Sequence, residues 1–362
     1  MKEIFFNPHA TGHHPDARIF SAENARRLHA LFSAAPGFAA TPLVRLDALA
    51  GELGIGELWA KDERNRFGQG SFKSLGGAYA VVSLAAELLS VSPADIFAGR
   101  APRASGLTVA TATAGNHGRA VAFGAKLAGA RAVIFIYGDV PAAHRDAIRD
   151  LGAELVFVPG DYEAACRAAG DACAREGWVL VSDVATENYT DIPSRIMQGY
   201  SVLAVEAMDE GGAFSHVVTQ AGVGGLATPV ASLFSQAQPP SSIMVVEAAN
   251  VPCLMESARA GRFTRAASGG TTILSRLDCP TPSSTTWAIL RALAQCYAAV
   301  DDTIAAEAAQ RLSDAGLATT PTGAAGLAGL MTLKREPDGF ARLGLSRDSK
   351  AMIVVTEQAL AR

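Results

Sequence analysis

Residues 107–138 read LTVATATAGNHGRAVAFGAKLAGARAVIFIYG, and the reading of this stretch decides the fold. It opens with a short β-branched run at 107–110, continues through an Ala- and Gly-rich stretch of helical character at 117–129, and closes with Ala132-Val133-Ile134-Phe135-Ile136-Tyr137. A strand, a helix and a second strand joined this tightly form a parallel βαβ unit. The alternation runs on. A helix over 141–151 starts at Pro141, a strand over 154–158 ends at Pro159-Gly160, and a helix over 161–176 leads to a strand over 178–182. These units predict one parallel sheet with helices packed on it.

Further along, the spacing predicts a helix over 193–208, a strand over 216–220, a helix over 225–235, a strand over 243–248 and a helix over 252–260. That is a second parallel sheet. Helices over 301–315 and 323–334 and a last strand over 351–356 complete it, and the segments 42–44 and 57–60 read as strands that fit either sheet. Two stretches break the pattern, 91–105 and 262–287, both rich in Pro, Gly, Ser and Thr. The second is too long for a plain connection and reads as an active-site lid or as a surface excursion.

The 362 residues exceed what one hydrophobic core usually organises, so two domains are expected. Hydrophobic residues at 49% and charged residues at 18% exclude a disordered chain. The 31 Lys and Arg against 35 Asp and Glu, with no basic stripe, give no footprint for nucleic acid. Apolar runs are of strand length, well short of the roughly 20 residues that span a bilayer. Lys2, Glu3, Asn7, His9 and His13 interrupt the start of the chain, so no signal peptide is read and a cytoplasmic location is expected. The five cysteines are dispersed without a CxxC, which fits reduced thiols better than disulfides or a metal site.

Four segments carry chemistry. Lys73 lies in Gly68-Gln69-Gly70-Ser71-Phe72-Lys73-Ser74-Leu75-Gly76-Gly77, between an aromatic ring and small residues. Such surroundings lower an amine's pKa and leave room for an aldehyde, as a Schiff-base lysine requires, although an exposed lysine at a helix start fits the segment too. Thr111-Ala112-Thr113-Ala114-Gly115-Asn116-His117-Gly118 passes from strand to helix, where free amides suit a carboxylate. Asn116 suits a ring oxygen, and His117 reads as a packed histidine ahead of an acid or base. Ala221-Gly222-Val223-Gly224-Gly225-Leu226 suits a phosphate at a helix N-terminus. The spacing G-x-G-x-x-A, with Glu247 twenty residues beyond Ala227, also keeps a dinucleotide site open. Thr319-Thr320-Pro321-Thr322-Gly323-Ala324-Ala325-Gly326 offers a neutral hydroxyl for a pyridine nitrogen, or simply a helix cap.

Taken in this order, the four segments resemble the fold type II family of pyridoxal-phosphate enzymes over nearly the whole chain. Within it, Arg66-Phe67-Gly68, Phe72-Lys73, Leu75-Gly76-Gly77-Ala78-Tyr79, Gly115-Asn116-His117-Gly118-Arg119, Tyr189-Thr190-Asp191-Ile192-Pro193 and Ile196-Met197-Gln198-Gly199-Tyr200 are similar to the diaminopropionate ammonia-lyases. The resemblance implies an α/β protein with two parallel-sheet, three-layer domains: a discontinuous larger one, 1–76 with 191–362, that holds the cofactor, and a smaller one, 77–190. It implies that Lys73, next to Phe72, holds pyridoxal 5'-phosphate covalently. Asn116 then meets the phenolic oxygen, Gly222, Val223, Gly224, Gly225 and Leu226 hold the phosphate, and Thr322 faces the pyridine nitrogen. Thr113, Ala114, Gly115 and His117 would line the substrate, with Lys73 and Asp183 catalytic.

The implied reaction is α,β-elimination from a small amino acid, 2,3-diaminopropionate giving pyruvate and ammonia. Threonine or serine dehydration is the alternative, and a non-catalytic nucleotide-binding α/β protein a more distant one. A small amino acid is the expected partner and a homodimer the expected assembly, with no nucleic acid, membrane or metal. Two positions depart from the pattern. Ala114 stands where these ammonia-lyases usually carry an Asp tied to the D-isomer, and Thr320-Pro321 replaces a Glu of the family.

Overall fold

The structure, a computed structural model, describes residues 3–113, 115–138, 140–267 and 269–359. In chain order the elements are β1 (Ile4–Phe6), α1 (Ala22–Phe32), β2 (Leu43–Arg45), α2 (Asp47–Leu53), β3 (Glu57–Asp62), α3 (Lys73–Leu89), α4 (Pro93–Phe97), β4 (Thr108–Ala112), α5 (Asn116–Ala128), β5 (Arg131–Tyr137), α6 (Ala142–Arg149), β6 (Glu154–Val158), α7 (Tyr162–Glu176) and β7 (Val179–Leu180). The chain continues with α8 (Asp191–Gly211), β8 (His216–Gln220), α9 (Ala227–Ser235), β9 (Ser242–Ala248), α10 (Cys253–Ala260), α11 (Thr286–Leu293), β10 (Cys296–Val300), α12 (Asp302–Asp314), α13 (Ala325–Arg335), α14 (Gly339–Leu343) and β11 (Lys350–Val355).

Two sheets result. The smaller, in the order β6-β5-β4-β7, is parallel throughout. The larger runs β1-β10-β9-β8-β11-β3-β2, with parallel pairing from β10 to β3 and a short antiparallel strand closing each edge. The interior strands are covered on both faces, which is why β8 (HVVTQ) is buried at every position. Residues 42–44 and 57–60, open to either sheet in the sequence, both belong to the larger one. Strand β10 and helix α11 were not legible. Cys296-Tyr297-Ala298-Ala299-Val300 is only weakly β-forming, and its place between β9 and β1 makes it a strand. The strand read over 178–182 contracts to β7, because the Ser182 amide leaves the ladder and donates to the Tyr189 hydroxyl at 2.9 Å.

Helix α3 carries Lys73 as its first residue and runs between α5 and α8. Its small residues make that possible. A Cβ at Gly77 would lie 2.6 Å from that of Ala120 on α5, and one at Gly76 would lie 2.5 Å from the Tyr200 ring on α8. The approach to α3 is fixed by a buried charge network. Arg66 and Lys61 share the Glu206 carboxylate of α8 at 2.6 and 2.7 Å, and Arg66 also pairs with Glu63 at 2.6 Å. Thr41 supplies a hydroxyl to Glu63 and a carbonyl to Lys61. Paired and hydrogen-bonded in this way, buried charges are tolerated and hold one register. Among the described residues no helix is long and apolar enough to cross a membrane.

Candidate functional site

The site forms at the carboxyl ends of the parallel strands, where side chains from both sheets meet. Lys73 Nζ lies 2.5 Å from Asp183 Oδ2, an ion pair between residues 110 positions apart. Asp183 sits just beyond β7, in a loop tied down by Tyr189, whose hydroxyl donates to the Leu180 carbonyl at 2.7 Å. The ring of Phe72 lies 5.5 Å from Nζ and that of Tyr200 5.7 Å.

The depressed amine pKa expected from the small neighbours of Lys73 is not what this geometry gives. Burial disfavours its ammonium, but the Asp183 carboxylate outweighs that and leaves the Lys73 pKa above that of an ordinary lysine. Reciprocally, burial disfavours the Asp183 carboxylate, and Lys73, followed by His117, holds its pKa well below the usual carboxylate range. Sequence neighbours told nothing of a partner brought in by the fold.

Thr113 and Gly115 end the strand-to-helix turn, with the Gly115 amide donating to Thr113 Oγ1 at 3.2 Å. Ala114 between them lies outside the described residues. His117 is buried, and its Nε2 stands 2.8 Å from the Val181 carbonyl oxygen with Nδ1 3.9 Å from Asp183. Burial lowers its pKa, which fits a neutral packed histidine behind the carboxylate.

The glycine loop between β8 and α9 presents the amides of Gly222, Val223, Gly224, Gly225 and Leu226 without an acceptor among the described residues. Gly224 has φ +98°, open to glycine alone, and a Cβ there would lie 2.7 Å from Thr286 Oγ1. A Cβ at Gly225 would meet open space. Free amides at a helix N-terminus with room before them suit a phosphate. The long segment 262–287 packs on this loop: the Ser283 amide and Thr286 hydroxyl donate to the Val223 carbonyl at 3.0 and 2.6 Å, and Ser283 Oγ accepts from the Ala185 amide at 2.8 Å.

Thr322 Oγ1 is buried with no hydrogen-bond partner among the described residues. Gln220, at the end of β8, donates to the Thr322 carbonyl at 3.1 Å and toward the Thr356 hydroxyl at 3.4 Å, which ties the Thr322 backbone to the end of β8. Glu247 has another task than the dinucleotide reading gave it. Its carboxylate accepts from the Leu254 and Met255 amides at 2.7 and 2.8 Å and caps α10, while burial pushes its pKa up to about 8. It offers nothing to a ribose.

Sequence reasoning missed Gln220, Tyr200, Thr356, Glu357 and Arg276. Asn116 Nδ2 donates to Glu357, Thr320 Oγ1 donates to the same carboxylate, and Arg276 Nε lies 2.9 Å from it. Residues from three separate segments thus converge on the one carboxylate of Glu357. The usable signal was position: Gln220 ends β8 and Glu357 follows β11, at the strand ends where ligands gather in open parallel sheets.

The chain is 33% identical over 355 residues to diaminopropionate ammonia-lyase of Escherichia coli (strain K12), covering 94% of this chain and 89% of that protein. L-threonine dehydratase of Haemophilus influenzae is 31% identical over 228 residues, covering 62% of this chain and 39% of that protein. The crystal structure of Escherichia coli diaminopropionate ammonia lyase in complex with D-serine superposes with a TM-score of 0.87 at 31% identity, over 98% of this chain and 93% of that one. The family model of pyridoxal-phosphate dependent enzymes matches residues 34–356, nearly the whole chain, and the chain belongs to that family.

Proposed function

We propose that this enzyme removes the β-substituent of a small amino acid by α,β-elimination, with 2,3-diaminopropionate as substrate and pyruvate and ammonia as products. The observation that carries the reading is the Lys73–Asp183 pair, with Asp183 in a loop that Ser283 ties to the glycine loop by accepting from the Ala185 amide and donating its own amide to the Val223 carbonyl. The residues present fit pyridoxal phosphate: Lys73 to hold it covalently next to Phe72, the amides from Gly222 to Leu226 for its phosphate, Asn116 for its phenolic oxygen, and Thr322, with an otherwise unused hydroxyl, for its ring nitrogen. The bound cofactor supplies an electron sink for negative charge developing at the substrate's α-carbon.

The chain's own groups do the rest. Lys73 Nζ, once free, is the base for the α-proton. Asp183 is ionised beside it, so it acts as an acceptor and an anchor. A carboxylate there attracts the distal ammonium of diaminopropionate, which departs as neutral ammonia and needs no added proton. A hydroxyl leaving group does need one, and Asp183 does not hold it. Thr113, Gly115 and His117 lie at the strand-to-helix turn, which faces the substrate carboxylate in this reading.

An amino-acid panel on cofactor-loaded protein tests it, scored for ammonia and 2-oxo acid. Diaminopropionate is expected to give pyruvate with two ammonia, well ahead of serine and threonine. Faster turnover of threonine or serine would overturn the substrate and favour the dehydratase reading.

A further inference from the structure

We propose that Glu357 is a positioning residue that sets the orientation of the Asn116 amide and so makes it a hydrogen-bond donor to the cofactor's phenolic oxygen. This rests on the cofactor reading above.

A side-chain amide has two ends, one that donates and one that accepts, and nothing intrinsic chooses between them. A carboxylate does choose, because it only accepts. Glu357 Oε2 takes the Asn116 Nδ2 hydrogen, which turns the NH2 group toward it and leaves the second N–H hydrogen for another acceptor. The carboxylate is itself held firmly. Its Oε1 accepts from Thr320 Oγ1, Arg276 Nε pairs with Oε2 at 2.9 Å, and the side chain is 5% exposed. Its backbone is fixed as well, since the Glu357 carbonyl accepts from Thr319 Oγ1, residue 357 bridges to Ser71, and the Gln358 amide donates to the Gly70 carbonyl at 3.0 Å. The same segment therefore adjoins the residues leading into Lys73. Asn116 and Glu357 also line a common cavity of about 200 Å³, together with Gly70, Arg119, His144 and Gln358. Asn116 lies at the start of α5 beside the smaller sheet and Glu357 just past β11 of the larger, so the contact joins the two halves of the cleft.

A residue that only stabilised the fold would leave the bound cofactor's electronic state alone. The test compares Glu357→Gln and Glu357→Ala with wild type, all loaded with pyridoxal phosphate, reading the visible absorption band and its pH titration together with kcat and KM. Glu357→Ala is expected to displace the band or its titration midpoint and to lower kcat about ten- to hundredfold, the scale of one charge-assisted hydrogen bond, with KM little changed. Glu357→Gln, whose oxygen still accepts one hydrogen bond and whose volume is kept, should fall between. Asn116→Ala should reproduce the spectral change, and Asn116→Ala/Glu357→Gln should go no further than Asn116→Ala. Bands and titrations of both Glu357 variants that coincide with wild type, or effects that add to that of Asn116→Ala, overturn the proposal alone. A wild-type protein that takes up no cofactor at Lys73 overturns the reading beneath it too.

Discussion

At the scale of single residues, the site depends on which charge stands next to which amine. Lys73 must be neutral to capture the cofactor's aldehyde, and Asp183 works against that by stabilising its ammonium. Replacing Asp183 by Asn removes the attraction and leaves burial, which lowers the amine's pKa. The rate of cofactor capture, followed by absorbance against pH, should therefore rise at lower pH in Asp183→Asn than in wild type, while turnover falls. An unchanged profile would show that the pair does not control Lys73. Ala114 makes a second case, argued from its side chain alone. A methyl group takes no proton, and Lys73 and Asp183 stand together 2.5 Å apart, so proton removal is expected from one face of the substrate. One enantiomer, the L form, should react faster by about 10²–10⁴-fold, the contribution of a placed acid or base. Ala114→Asp should recover part of the D-isomer activity, and comparable kcat/KM for both isomers in wild type would contradict this.

Among the elements, the glycine loop and the segment leading into α3 carry the largest consequences. Gly225→Ala adds a methyl group where the protein offers no neighbour within 4 Å, so it should leave the melting temperature near wild type and weaken pyridoxal phosphate by filling the space before the amides. An unchanged Kd would remove the loop from the cofactor site. Gly224 is no substitute for this test, since its φ of +98° and the contact with Thr286 would disturb the loop itself. In the buried network, Glu206→Ala strands Arg66 and Lys61 with Glu63 as the one remaining anion of the cluster. Denaturant unfolding should show a loss of about 3–5 kcal/mol, the usual result of breaking a buried pair from one side. The exposed Arg27–Glu23 pair is the control, since such surface pairs contribute roughly 0–1 kcal/mol.

Over the whole molecule, one core runs between the two sheets, with a second cluster on the opposite face of the larger sheet and a third on that of the smaller. Val109 on β4 and Ile134 on β5, Val81 on α3, Tyr200 on α8 and Val245 on β9 belong to a single continuous apolar cluster. Calorimetry of the cofactor-free protein should give one cooperative transition, and cofactor at 100 times its Kd should raise stability by about 2.7 kcal/mol. Two resolved transitions would mean that the halves unfold separately. Much of this architecture was written locally: β-branched runs, Ala-rich helical stretches and capping residues are short-range signals, and β4 through α7 emerge from them with boundaries shifted by a residue or two. The strings around Lys73, Asn116 and Gly222 stand out in the sequence for a similar reason, because close packing and free amides require particular small residues in order. What folding alone decided is which distant groups meet. The Lys73–Asp183 contact, the convergence of Asn116, Thr320 and Arg276 on Glu357, and the Thr322 hydroxyl, unpartnered among the described residues, arise where loops from separate strands come together. The sign of the Lys73 pKa shift turned on that meeting: Coulomb attraction depends on distance in space, to which separation along the chain gives no guide.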